Sequence, residues 1–390
     1  MIDVARARAE TPGCAERIHL NNAGAALMSQ RVLETQLDHL RLEARVGGYE
    51  AARMTDDRFN RVRDSVADLI GAGPGEIALV ENATAGWNLA FQSIRFEPGD
   101  TILTSEAEYA ANYLAYLRAS EDRGATIRVV PSDEAGQLDV EALAASIDGT
   151  TKLISVTHIP TNGGLVNPAE AVGEVAASAG VPYLLDACQS VGQLDVDVGR
   201  IRCDFLAATG RKFLRGPRGT GFLYVRSSML DRVTPPTIDL HGATWLDESR
   251  YVLRPDARRY ENWEFNHAAV LGLGVAVEEA LALGAAAIED RVTRLGADLR
   301  SRFEAAGLPT FDLGRRRCGI VTVFVPGIAA AEVRDRLFGR GVNVSVTTPS
   351  STLLDAERRG LPELIRLSPH YFNTTDELEV AVAEVVRLVR

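Results

Sequence analysis

Two residues 26 positions apart in this 390-residue chain carry most of its chemistry. Asp186 closes the apolar run Val181-Pro182-Tyr183-Leu184-Leu185-Asp186, and Lys212 sits in Ala208-Thr209-Gly210-Arg211-Lys212-Phe213. A buried strand that delivers a carboxylate, followed by a lysine among Gly, Thr and Arg, suits pyridoxal 5'-phosphate (PLP). The lysine forms a Schiff base with the cofactor's aldehyde, and the carboxylate keeps the pyridine nitrogen protonated so that the ring accepts electrons. Neither residue is informative alone, because an Asp ending a strand is often structural and a Lys beside glycine is often a solvated loop residue. The pairing, in this order and with these flanks, points to a cofactor site.

A phosphate needs its own anchor. Val80-Glu81-Asn82-Ala83-Thr84-Ala85 follows a strand-like run and opens a helix. A helix N-terminus offers free amides and a partial positive charge to a dianion. An N-capped helix with no ligand has the same pattern.

With these motifs in place, the chain from about Leu20 to about Thr375 resembles the class V aminotransferase and cysteine desulfurase family of fold-type I PLP enzymes. The resemblance implies roles residue by residue. Ala83 and Thr84 match the phosphate-binding turn, and Thr209 with Arg211 match a second pair of phosphate contacts. Asp186 matches the partner of the pyridine nitrogen, Gln189 the partner of the ring oxygen, and Lys212 the anchoring lysine. Tyr109, in Glu108-Tyr109-Ala110-Ala111-Asn112, stands where desulfurases place a ring-stacking histidine, and an aromatic there can cover the pyridine face; packing at a helix start is the alternative. Arg366 matches the arginine that holds the substrate carboxylate, a task for a planar bidentate cation. Asn21 and Asn22 resemble the N-terminal substrate loop, and His158, Thr161 and Asn162 border the pocket, His158 with a structural role as its alternative. Trp87 reads as core and not as cofactor wall. The family is usually dimeric, and a homodimer is expected. The cross-subunit segment departs from the desulfurase pattern by carrying Trp263-Glu264-Phe265 in place of Gly-Thr-Pro, which leaves Asn266 or a backbone amide for the contact.

Desulfurases need a thiol on a mobile loop ahead of the carboxylate-binding arginine. The matching stretch, Val342 to Thr352, has no cysteine, and Cys318 lies immediately before a strand, where it reads as packing. The family resembled also includes C–S lyases of sulfur-containing natural-product pathways, and the resemblance implies that activity here: β-elimination from a cysteine S-conjugate. Lys212 would take the Cα proton, the thiolate would leave, and the aminoacrylate product would hydrolyse to pyruvate and ammonia. Decarboxylation coupled to oxidative deamination remains open, as does an aminotransferase or an isopenicillin-N-type epimerase, whose segment resembles Thr161-Asn162-Gly163-Gly164. A non-catalytic ligand sensor on the same fold is disfavoured by the presence of both Lys212 and Asp186.

The elements that must position these groups follow from apolar patterning. Short apolar runs at 77–80, 101–104, 127–130, 153–156, 183–186, 205–208 and 221–225 alternate with amphipathic stretches such as 139–146 and 168–179. Strand–helix alternation predicts an α/β fold with a mostly parallel sheet covered on both faces, and ligands in such sheets lie beyond the carboxyl ends of the strands. The last third changes to long helices at about 268–283 and 287–306, a strand at 320–325 and a helix at 330–340. This suits the smaller α+β domain of fold-type I enzymes.

A chain of this length is expected to divide into domains. We expect an N-terminal segment (18–50) joined to the small domain, a large PLP-binding domain (51–265) and a C-terminal small domain (266–390). The net charge of −11 argues against non-specific nucleic-acid binding. The four cysteines show neither metal spacing nor a disulfide framework, so no metal is expected and the thiols read as reduced. No apolar stretch approaches the roughly 20 residues of a membrane span, and the charged start lacks a signal-peptide core. A cytoplasmic enzyme with a small amino-acid substrate is expected.

Overall fold

The computed structural model describes residues 2–389. All seven expected runs become strands of one sheet: β1 (Ile77–Val80), β2 (Thr101–Ser105), β3 (Thr126–Val130), β4 (Thr151–Thr157), β5 (Tyr183–Asp186), β6 (Phe205–Thr209) and β7 (Gly221–Val225). Their order across the sheet is β1-β7-β6-β5-β4-β2-β3. β2 to β6 run parallel, and β7 lies antiparallel between β6 and β1. Every residue of β1, β2, β5, β6 and β7 is buried. A sheet covered on both faces has no wet side, so its strands read as unbroken apolar runs. Successive residues still separate: Ile77 and Leu79 join one apolar cluster, while Ala78 and Val80 join the other.

Helix starts shift by a residue from the expected positions for local reasons. The helix expected at 139 begins at Val140, because Asp139 is its cap and accepts the N–H groups of Glu141 and Ala142. The helix Ala169–Ala179 likewise starts after Pro168.

The C-terminal region builds a three-stranded antiparallel sheet with Leu364–Leu367 between Val321–Val323 and Ser345–Thr347. Leu299, Phe303, Val323, Val333, Leu367 and Leu378 share its core with Leu20, and Ile18–His19 pairs in parallel with Val342–Asn343. The helices Gln30–Val46 and Gly48–Ile70 pack on His267–Leu283. Apolar residues of that last helix, among them Val270, Leu273 and Val277, belong to the large sheet's cluster. An exposed hairpin, Ala243–Asp247 with Arg250–Leu253, was not foreseen from the sequence. Among the described residues no single helix is long and apolar enough to cross a membrane.

Candidate active site

The carboxyl ends of β4, β5 and β6 open into a cavity of about 300 Å³. Asp186 is the last residue of β5, in register with Thr157 of β4. Its Oδ1 accepts the Cys188 backbone N–H at 2.9 Å, and its Oδ2 accepts the Asn112 side-chain amide at 2.9 Å. Burial pushes the Asp186 carboxyl above the ordinary range; these two donors and the Lys212 charge pull it back.

Lys212 stands opposite, on the loop between β6 and β7. The loop is tied by Gly216 N–H to Gly210 O (2.7 Å) and by Arg215 N–H to Lys212 O (2.9 Å). Arg215, itself left-handed at φ 61°, runs its buried guanidinium to Leu27 O (2.8 Å), Thr11 Oγ1 (2.5 Å) and the Tyr371 hydroxyl. Gly192 (φ 91°) lies so close behind the loop that a Cβ there would stand 2.4 Å from the Phe213 carbonyl carbon. Only glycine permits both that backbone and that approach. Burial is also the main force holding the Lys212 ammonium below its ordinary pKa, which favours the neutral amine.

The third wall is the N-terminus of the helix Ala83–Ser93. Asn82 caps it by accepting the Ala85 N–H at 2.9 Å, and Glu81, Asn82, Ala83 and Thr84 line the cavity. The first amides of a helix have no intrahelical partner. Tyr109 precedes the helix Ala110–Arg123 and lines the cavity half-buried, its phenol pushed up by burial.

Thr209, Arg211 and Gln189 complete the wall. The Thr209 hydroxyl donates to Thr220 O at 3.2 Å, and the Arg211 guanidinium donates to Gly24 O. Gln189 Nε2 donates to Ala23 O (3.2 Å) and Thr161 Oγ1 (3.4 Å), while its buried Oε1 has no partner.

Five expected residues do not line the cavity. Arg366 stands behind Thr161, donating to its carbonyl (3.0 Å) and hydroxyl (2.8 Å), and Thr161 does line it. Arg366 is buried, forms no ion pair among the described residues, and leaves Nε without an acceptor. Burial, then the Arg211 charge, holds it down to about 10. Asn162 turns away from the cavity: its amide donates to Thr348 O (2.8 Å) and Thr352 Oγ1 (3.0 Å), pinning the loop that precedes Arg366. Asn21 bridges to Ser368, and Asn22 donates to Ser368 O at 2.7 Å, so both stitch the N-terminal segment to the strand bearing Arg366. His158 is packed under the site, its backbone N–H on Asp186 O at 3.0 Å. Burial holds its imidazole down to about 3, so it stays neutral. Trp87 is core, stacked on Phe91 at 4.9 Å.

The sequence reading missed Glu108, Asn112, Thr157, Cys188 and Arg218. Glu108 and Asn112 carry a usable signal: four apart at a helix start, they face one side. The others depend on strand ends and turns meeting in space.

The arrangement fits PLP. An acid and an amine face each other across a cavity that a helix N-terminus also enters. An unpartnered Gln189 oxygen and an arginine without a counter-ion wait beside it.

The family model described as "Aminotransferase class-V" matches residues 18–380. The chain is 30% identical over 341 residues to a probable cysteine desulfurase of Methanothermobacter thermautotrophicus, covering 86% of this chain and 84% of that protein. The apo structure of a cysteine desulfurase from Thermococcus onnurineus NA1 superposes with a TM-score of 0.92 at 26% identity, covering 100% and 98% of the two chains. A cystine C–S lyase solved with its reaction product cysteine persulfide shares the fold, with a TM-score of 0.86 at 20% identity over 96% and 99%.

Proposed function

The chain belongs to the class V aminotransferase family of PLP enzymes, and from that premise we propose that it is a C–S lyase. It cleaves a cysteine S-conjugate by β-elimination; with one water, the products are a thiol, pyruvate and ammonia. At the coarser level it is a cysteine desulfurase-like or C–S lyase-like class V enzyme.

One observation carries the choice of lyase. Residues 342–352, ahead of Arg366, contain no thiol, and Asn162 pins them through Thr348 and Thr352. Cys318 offers no substitute: it is fully buried and burial pushes it up to about 11, whereas the thiolate is the nucleophile. Cys188 does line the cavity, but it sits on the Asp186 turn rather than on that loop, and burial pushes its thiol up too; sulfur with no loop thiol to receive it leaves as a free thiol.

PLP supplies an electron sink that makes the bonds at the substrate's Cα labile. The chain's residues do the rest. Lys212 would anchor the cofactor and, as a buried amine of lowered basicity, would accept the Cα proton. Asp186, held as an acceptor at both oxygens, would keep a proton on the ring nitrogen. Tyr109 would cover one ring face, and the amides of Ala83 and Thr84 would receive the phosphate with the Thr209 hydroxyl turned from Thr220 O. Gln189 would meet the ring oxygen, and Arg211 would reinforce the phosphate end. Arg366, reached past Thr161, would take the substrate carboxylate through the guanidinium nitrogen it leaves without an acceptor, and Asn21, Asn22, His158 and Asn162 would support that wall from behind.

A homodimer belongs to the same reading. It is supported by the apolar surface of Trp245 (80% exposed), Leu240 (71%) and Trp263 (52%) on and beside the hairpin, a patch that a second copy would cover. A cytoplasmic setting is supported by four free thiols. A place in the biosynthesis of sulfur-containing natural products is the setting we propose for such a substrate.

The test is product analysis of PLP-loaded protein with S-glycosyl and S-aryl cysteines and no keto acid. Thiol, pyruvate and ammonia in equal amounts are expected. Carbon dioxide with an S-linked aldehyde, alanine with a persulfide, or turnover only after a keto acid is added would each overturn the lyase reading.

A further inference from the structure

Glu108 is 3% exposed and has no ion-pair partner among the described residues. Four neutral donors nevertheless converge on it. Its Oε1 accepts the Tyr109 backbone N–H (2.8 Å), the Asn112 amide (2.9 Å) and the Thr157 hydroxyl, and its Oε2 accepts the Thr104 hydroxyl (2.9 Å). A buried acid with no cation beside it is costly, and these four donors offset that cost while tying the acid to the groups around it.

What it holds is visible in Asn112, which is 2% exposed. An amide nitrogen carries two hydrogens. At Asn112 one goes to Glu108 Oε1 and one to Asp186 Oδ2, each at 2.9 Å, with Thr157 Oγ1 a longer contact at 3.4 Å. Reversing the amide would set a carbonyl oxygen against two carboxyl groups, so its orientation is determined by the network. The other Asp186 oxygen is held by the Cys188 N–H. The plane of the Asp186 carboxylate is therefore fixed at both oxygens, and Glu108 also fixes the backbone of Tyr109.

We propose that Asn112 and Glu108 are positioning residues: Glu108 locks the Asn112 amide, and Asn112 presents the Asp186 carboxylate to the cofactor's ring nitrogen in one orientation. The proposal rests on the PLP reading and extends it to Asn112, which lines the cavity, and to Glu108, which stands behind it. Without the Asn112 amide, two buried carboxyl groups face each other with no donor between them. Asp186 then turns or takes up a proton, and the ring nitrogen loses its ionised partner.

The test uses full-length protein reconstituted with PLP labelled with 15N in the ring. The 15N shift reports whether the ring nitrogen is protonated, titration of the apo-protein gives the PLP dissociation constant, and apo-protein melting reports folding. Asn112→Leu is expected to weaken PLP binding by roughly tenfold to a hundredfold, the value of one hydrogen bond to a charged group, and to move the 15N signal towards the unprotonated form. Glu108→Gln keeps an acceptor oxygen for Tyr109 and Asn112 and is expected to keep the protonated signal. Wild-type affinity and a protonated signal in Asn112→Leu would overturn the proposal. If Asn112→Leu does not fold, Glu108→Leu, which unlocks Asn112 without removing it, is read by the same two signals, and a wild-type result overturns the proposal equally. Failure of the unaltered protein to bind PLP would instead overturn the cofactor reading together with the proposal.

Discussion

Replacing Arg366 with methionine is expected to raise or preserve the stability of the cofactor-free protein while crippling its activity. Arg366 lies buried with no carboxylate partner among the described residues, and its guanidinium is held down to about 10. That displacement corresponds to about 3 kcal/mol of unfavourable burial. Against it stand two hydrogen bonds to Thr161, worth about 1 kcal/mol each or somewhat more for a charged donor. Methionine fills similar space without the charge, so the net change in folding is expected to be about 0–2 kcal/mol in favour of the variant. In the loaded enzyme the same charge meets a substrate carboxylate, and removing one partner of a buried charge pair costs about 2–5 kcal/mol. A loss in kcat/KM from about thirtyfold to several thousandfold follows. Melting curves of the apo-protein and steady-state kinetics on one S-conjugate measure the two effects side by side. Destabilisation by more than about 2 kcal/mol with kcat/KM within a factor of about three of wild type would refute the reasoning and make Arg366 a structural residue.

Other outcomes are as specific. Lys212→Ala should lose the visible absorbance of the lysine–PLP Schiff base and all thiol release while folding normally, and an unchanged spectrum would remove Lys212 as the anchor. Cys318→Ala should keep its rate of thiol release, because a thiol buried and held up at about 11 has no nucleophilic part; a loss of activity without a loss of stability would restore a desulfurase reading. Acidification should destabilise the fold through His158, which burial holds down to about 3. Its neutral form contributes fully above the unfolded value near 6.5, and the contribution is lost as pH falls from there towards 3, amounting to about 2 kcal/mol by pH 5. Melting temperatures between pH 7 and 5 should therefore fall less steeply in His158→Asn than in the unaltered protein, and parallel slopes would exclude that imidazole.

How much of the site was legible depended on whether a residue's role is local. Lys212 and Asp186 announce themselves because a strand end, a glycine turn and the residue type all lie within a few positions. The helix N-terminus at Ala83 is equally local, since its unpaired amides follow from backbone geometry whatever the surroundings. Position after a strand brings Asn162 and His158 near the site but does not say which way a side chain turns. The first reaches to Thr348 and Thr352, and the second is packed beneath Asp186. The spacing of Glu108 and Asn112 puts them on one side, but not against what: Asn112 meets Asp186 across 74 positions, and Glu108 matters through Asn112.

The sequence by itself determined the seven strands, their alternation with helices, and the pair of residues that calls for PLP. Short apolar runs set between amphipathic stretches fit a sheet covered on both faces, and the chemistry of a lysine and a carboxylate travels with the residues themselves. The tertiary structure decided the rest. It set the antiparallel β7 between β6 and β1, buried Arg366 without a counter-ion behind Thr161, pinned the loop before it through Asn162, and clasped Asp186 from behind through Asn112 and Glu108. Those facts depend on which distant segments meet, and burial and hydrogen-bond direction exist only once they have met.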